Sequence, residues 1–126
     1  MRLPLLVALL LASSCAAEAR PDPAAVSTPE GDCNASTDAA RTRVVKVVEE
    51  NLACSADTDC VRVEVRASCF DACAASVNLT GKGAVDRAST LVEAAECKKF
   101  NEEGCKLTIP PCAPPQPVHC VSGKCQ

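Results

Sequence analysis

Aromatic residues are almost missing from this 126-residue chain: there are two Phe, no Trp and no Tyr. Each large ring would bury far more surface than an Ala or Val, so a conventional aromatic-filled core is excluded. Histidine occurs once, as His119, and methionine only as the first residue. No Cys-x-x-Cys pair, Gly-rich phosphate loop or Gly-x-Ser-x-Gly elbow is present, so redox, nucleotide and serine-hydrolase readings have no motif to stand on. The one long apolar run, at the start of the chain, is roughly half of a membrane span, and no other segment is apolar enough to cross a bilayer. The 13 basic and 16 acidic residues, for a net charge of −3, are interspersed rather than gathered into the basic stripe that nucleic-acid binding needs.

What the chain does have is cysteine, eleven in all. A short chain whose apolar residues are mainly Ala, Val and Leu has little core volume and needs staples. Met1-Arg2 followed by ten mostly apolar residues to Ala12 has the length and charge of a signal-peptide core, and predicts export. Two cleavages fit. Ala17-Glu18-Ala19 would release a soluble chain after residues 1–19. Leu11-Ala-Ser-Ser-Cys15 resembles the lipobox of bacterial lipoproteins, with its Leu one position early, and would give a leader of residues 1–14 and a lipid on Cys15. Under either cleavage eleven cysteines less Cys15 leaves ten, an even set suited to a fully bridged framework in an oxidising compartment. That framework is Cys33, Cys54, Cys60, Cys69, Cys73, Cys97, Cys105, Cys112, Cys120 and Cys125.

Residues 16–32 are rich in Ala, Pro, Ser and Glu and read as a flexible tether. The folded domain is expected over residues 33–126. A first helix is predicted at 37–52, capped by Ser36 or Thr37, with Val44, Val45, Val48 and Leu52 on one face. Val61, Val63 and Val65 alternate with Arg62, Glu64 and Arg66, a half-buried strand. Residues 74–78 read as an irregular loop or turn. A second helix is predicted from 83 to about 97, with Ala84, Val85, Ala88, Leu91, Val92 and Ala95 as its apolar stripe. Cys97 falls opposite that stripe if the helix is regular. It must then reach a covering loop, or the helix must end before it.

Residues 106–109 form a short strand candidate, ended by Pro110-Pro111. The proline-rich run to Pro117 reads as a rigid connector pinned by Cys112, with a polyproline ligand segment as the other possibility. Residues 118–121 and 124–125 flank Ser122-Gly123, a tight hairpin turn. The fold class expected is therefore α+β: a small disulfide-rich domain, two helices packed on a small antiparallel sheet made from 61–66 and 118–124, with 106–109 as a possible addition. Local Cys54–Cys60 and Cys120–Cys125 bridges and cross-links between the central and C-terminal clusters are equally compatible with the spacing.

Candidate chemistry is sparse. Asp57 and Asp59 alternate as in oxygen-ligand calcium loops, but the turn between Cys54 and Cys60 lacks the glycine and the closing carboxylate. Bonding to the turn's own backbone is the favoured role. His119 beside Cys120 suggests a metal or a Cys–His pair, yet bridged sulfurs serve neither purpose, so no metal, cofactor or catalytic residue is assigned. Asn34-Ala-Ser36 and Asn78-Leu-Thr80 match the N-glycosylation pattern, meaningful in a eukaryotic secretory pathway and fortuitous in a bacterium.

Cys54-Ser-Ala-Asp-Thr-Asp-Cys60 resembles the Cys-x-x-Asp-x-Asp-Cys step of whey-acidic-protein domains, small modules that often inhibit proteases. The chain departs from that pattern after Cys60, and no inhibitory residue is carried over. Cys120-Val-Ser-Gly-Lys-Cys125 resembles the closing hairpin of many cysteine-rich modules. As a whole the chain resembles small cysteine-rich exported proteins and lipoproteins of bacteria, a likeness that implies no particular activity. The function expected is a non-catalytic, secreted or membrane-tethered binding or structural module, with a stapled protease inhibitor as the alternative. Its partner would be a protein or surface ligand, with membrane attachment only through Cys15 and no nucleic acid. It would sit in the cell envelope or be secreted.

Overall fold

The computed structural model describes residues 30–126, so the expected leader, Cys15 and most of the expected tether lie outside the described residues. Within it, helix α1 spans Glu30–Glu50, strands β1 and β2 span Cys60–Ala67 and Phe70–Asn78, and α2 spans Leu79–Val92. A π-helical turn, Glu93–Cys97, leads directly into α3, Lys98–Glu102. Two short strands, β3 (Cys120–Val121) and β4 (Lys124–Cys125), close the chain. This is the expected small α+β domain, bound by five disulfides: Cys33–Cys105, Cys54–Cys120, Cys60–Cys125, Cys69–Cys97 and Cys73–Cys112. Among the described residues, no helix is long and apolar enough to cross a membrane.

α1 begins earlier than its caps suggested, directly after Pro29 in the sequence, and its first turns carry Cys33, bridged to Cys105. Ser36 is therefore an interior helical residue and buried, and Thr37 donates its hydroxyl to the Cys69 carbonyl at 2.9 Å instead of capping. The buried face is Ser36, Ala40 and Val44, continued by half-buried Val47 and Val48 at three- and four-residue steps. Val45 lies on the other side and is exposed, and Leu52 falls beyond the helix end. The β-branched run remains helical because α1 packs against α2, β2 and the π turn, and such burial outweighs propensity.

β1 follows its pattern: Val63 and Val65 are buried and Val61 half-buried, while Arg62, Glu64 and Arg66 are exposed. Its partner is β2, not the C-terminal segment. Residues 74–78, expected to be a loop, pair antiparallel with β1, with Val77 opposite Val61 and Ala75 opposite Val63. Ala and Ser carry little strand propensity, so the pairing comes from β1 and from burial of Val77 and Phe70. The C-terminal hairpin β3–β4 turns at Ser122-Gly123 as expected, both in left-handed conformation, as a tight primed turn requires. Its hydrogen bonds go to the segment after α1: Cys54 N–H to Gly123 O at 3.1 Å and Cys125 N–H to Leu52 O at 2.8 Å. With that edge occupied, the hairpin does not extend β1.

Both local bridges are replaced by cross-cluster ones. Cys120 and Cys125 oppose one another in the hairpin, and their sulfurs bond Cys54 and Cys60 respectively. Residues 106–109 belong to no strand among the described residues.

α2 starts a turn before the expected residue 83 because Asn78 caps it, its Oδ1 accepting the Gly81 N–H at 2.8 Å. Gly81 permits close approach: a Cβ there would stand 2.6 Å from that of Asn51. The buried face is Gly81, Val85, Ala88 and Val92, whereas Leu91 and Ala95 from the expected stripe are exposed. In a regular helix Cys97 would then miss the core. The π turn adds one residue between Val92 and Cys97, rotates Cys97 inward and lets it bond Cys69, with both sulfur-bearing residues fully buried. Phe100 follows three residues later on the same face. The helix neither ends before Cys97 nor needs a covering loop.

Candidate functional site

Two residues past the end of α3, Gly104 with its left-handed φ of 73° supplies the stop, and the Cys105 N–H still donates to Phe100 O at 3.1 Å. From there to Cys120 the chain is a strap without helix or strand. It is bound to α1 through Cys105–Cys33, to β2 through Cys112–Cys73, and to the segment after α1 through Cys120–Cys54. Proline cannot donate a backbone hydrogen bond, which keeps the run out of the sheet. Leu107 is half-buried against the core, while Lys106, Thr108 and Ile109 are exposed.

The strap's later part crosses the charged face of β1. Arg62 Nη1 donates to Gln116 O at 3.4 Å, and Arg66 Nη2 lies 3.7 Å from Cys112 Sγ. Between strap and sheet is a cavity of about 320 Å³ lined by Arg62, Glu64, Arg66, Ala74, Cys112 and Pro115 among others. The anchoring of Cys112 depends on an irregularity in β2, where Ala72 and Cys73 stand against the single residue Val65. Cys73 has a left-handed φ of 63°, a conformation costing a non-glycine residue roughly 1–2 kcal/mol. Asp71 supports it by accepting the Cys73 N–H, and Arg66 Nε stands 2.9 Å from the second, buried carboxylate oxygen without in-line hydrogen-bond geometry.

At the other end of β1, the turn between Cys54 and Cys60 and the hairpin make a second polar cluster. Asp59 accepts the Ser55 and Ala56 N–H groups at 2.8 and 3.0 Å, the backbone role expected of it. Asp57 departs from that role. Its Oδ1 accepts the Cys120 N–H at 2.7 Å, and its Oδ2 lies 2.9 Å from His119 Nδ1, so it binds the hairpin to the turn. Both carboxyls are held below the usual range, Asp57 by the Cys120 amide and then by His119, Asp59 by the Ser55 and Ala56 amides. Neither carboxylate is turned toward a common cation position by these bonds.

The ten cysteines assigned to the framework are all bridged, so none offers a thiolate. Cys54 lies beside the Cys60–Cys125 bridge and Asp71 beside Cys73–Cys112, but every sulfur in these two groups is bridged and so is not a thiolate ligand. His119 has Asp57 as its hydrogen-bond partner, and no hydroxyl or thiol bonds its ring among the described residues. Asn34 is exposed on α1, whereas the Asn78 side chain is engaged three ways, accepting from Gly81 N–H and Thr80 Oγ1 and donating to Ala53 O. No known protein family, curated protein or solved structure matches the chain.

The carboxylate bonds define a pH dependence. A lowered folded-state pKa means stability that is present above the ordinary value of 3.8 and lost as pH falls through the lowered folded value. Melting temperature measured from pH 6 to pH 2 is expected to drop steepest below about pH 4, and Asp57→Asn should flatten that acid limb. An unchanged acid limb in Asp57→Asn would show that the turn–hairpin contact contributes nothing to it.

Proposed function

We propose that this chain is an exported, non-catalytic binding module in which helices and hairpins form the scaffold and the strap of residues 106–119 forms the contact surface. The observation behind this reading is an exposed, irregular segment fixed to three separate parts of the scaffold by disulfides. Covalent fixing limits the entropy lost when such a segment binds, which is the usual reason for stapling a recognition loop. Five disulfides and no membrane-spanning helix among the described residues are compatible with an extracellular location. The leader at the N-terminus supports export, and attachment to the envelope through a lipid on Cys15 or release as a soluble protein both fit it. The partner in this reading is a protein or surface ligand.

The oxidised protein, assayed with ester, amide, phosphomonoester and dithiol substrates, is expected to show no turnover. A turnover abolished by His119→Ala, or by any single change outside the cysteines, would overturn the non-catalytic reading. A second reading, a protease inhibitor, is favoured by one particular feature: the exposed part of the strap between Cys105 and Cys112 is held by a bridge on each side.

A further inference from the structure

Resting on that second reading, we propose that Lys106–Leu107 is a reactive bond at which a serine protease with a carboxylate in its primary pocket is captured. Residues 106–109, Lys-Leu-Thr-Ile, have the composition of a strand, yet they pair with no other strand among the described residues. None of their backbone N–H or C=O groups has a backbone partner there. A strand-forming segment with a free hydrogen-bonding edge is what adds to another protein's sheet, the mode in which extended peptides are bound. Pro110 and Pro111 follow at once and, lacking N–H groups, limit how far such pairing can run.

The side chains narrow the partner further. Lys106 is exposed and forms no ion pair among the described residues. It is free to enter a pocket that selects a cation, as in trypsin-type enzymes. Leu107, the next residue, is half-buried against the core and holds the far side of the bond in place. Ile109 is 55% exposed and offers an apolar contact two residues beyond.

The bridges explain why such a bond would capture a protease rather than simply be cut. Attack of the enzyme's serine on the Lys106 carbonyl forms an ester and expels the Leu107 amine, which takes up the proton carried by the catalytic histidine. In an ordinary substrate that amine diffuses away and water completes hydrolysis. Here the amine stays beside the ester. Cys105–Cys33 retains the acyl side, and both Leu107 packing and Cys112–Cys73 retain the amine side. Return of the amine to the ester is then effectively unimolecular and competes with water, regenerating the intact bond.

The test is inhibition of trypsin by the purified, oxidised chain, followed with a small chromogenic substrate. Stoichiometric inhibition is expected, weakened by about 100-fold or more in Lys106→Ala, as for removal of a central anchor. Lys124→Ala, on the hairpin, should inhibit like the parent. Lys106→Phe should shift inhibition toward chymotrypsin, whose pocket is an apolar slot. After long incubation, the intact mass without reduction should show one connected species with a fraction 18 Da heavier, and reduction should divide that fraction between Lys106 and Leu107. Digestion without inhibition, no interaction at micromolar protein, or inhibition unaffected by Lys106→Ala would each overturn the proposal. Inhibition unaffected by Lys106→Ala overturns only the assignment of this bond and leaves the inhibitor reading standing, whereas no inhibition of trypsin, chymotrypsin or a cysteine protease by the parent chain removes that reading as well, so the two fail separately.

Discussion

Replacing Cys69 and Cys97 together by alanine is expected to cost about 3 kcal/mol, the stabilisation typical of a bridge closing a loop of this size, and to lower the melting temperature by roughly 12 °C or more. The two residues are 28 apart in sequence and completely buried, and their bond joins the β1–β2 turn to the π turn that follows α2. Cys60–Cys125 is also buried, but only Cys69–Cys97 has both residues completely shut off from solvent. A companion variant separates the bond from the turn that delivers it. Deleting the exposed residue Ala94 shortens the step from Val92 to Cys97 to four residues, which a regular α-helix also places on the inner face. That variant is expected to keep all five bridges and to melt close to the parent, because it converts the π turn into an α turn without moving Cys97 off the core. Thermal melts of the two variants, with a free-thiol count on each, check the pair. A deletion variant that loses the Cys69–Cys97 bridge would show that the π geometry itself is required.

Phe70→Ala should be the most damaging single substitution outside the cysteines, at about 3–5 kcal/mol by chemical denaturation. Phe70 is fully buried and is the largest such side chain. It sits at the start of β2, opposite Ala67, in a core otherwise built of Val, Ala, Cys and one further ring, Phe100. Small neighbours on a disulfide-tied backbone cannot close over the space a ring leaves, so relaxation recovers little of the loss. The control is Leu91→Ala, on the exposed side of α2, which should change stability by less than about 0.5 kcal/mol although both residues are large and apolar. If Phe70→Ala unfolded no more readily than Leu91→Ala, the assignment of the core would be wrong.

The contrast between these residues also shows where the sequence could be read and where it could not. The valines of β1 alternate strictly, and one face of that strand is buried, so periodicity identified it. β2 carries no such signal, since Ala74, Ala75 and Ser76 fit a helix or loop as well as a strand, and only its partner makes it one. Leu91 fits the apolar stripe at helical spacing as well as Val92 does, and only the packing of α2 shows that Val92 is buried while Leu91 is exposed. A one-residue π insertion changes the phase of a helix without leaving a mark in composition. The caps show the same limit. Asn78 is a strong capping residue, but Gly81 and Gly83 in the following turn conceal the helix start until the contact between Gly81 and Asn51 is seen.

At the candidate site, the turn role of Asp59 was local and therefore legible. The Asp57–His119 contact joins residues 62 apart, and the anchoring of Leu107 is also long-range, so neither has a sequence pattern. The even set of cysteines marked the framework, while their pairing depended on the hairpin turning its two cysteines toward the start of β1. The strand composition of residues 106–109 was readable. That it finds no partner in the fold was not, and the proposed contact with a protease depends on that difference.

Central to the account is that the C-terminal cysteines bind the strap and hairpin to the scaffold and not to each other. Proteolytic mapping of the non-reduced protein by mass spectrometry tests this directly. Peptides joined through Cys33–Cys105, Cys54–Cys120, Cys60–Cys125, Cys69–Cys97 and Cys73–Cys112 are the expected result. Peptides closed locally through Cys54–Cys60 or Cys120–Cys125, or free thiols at Cys105 or Cys112, would contradict it and would leave the strap without its anchors.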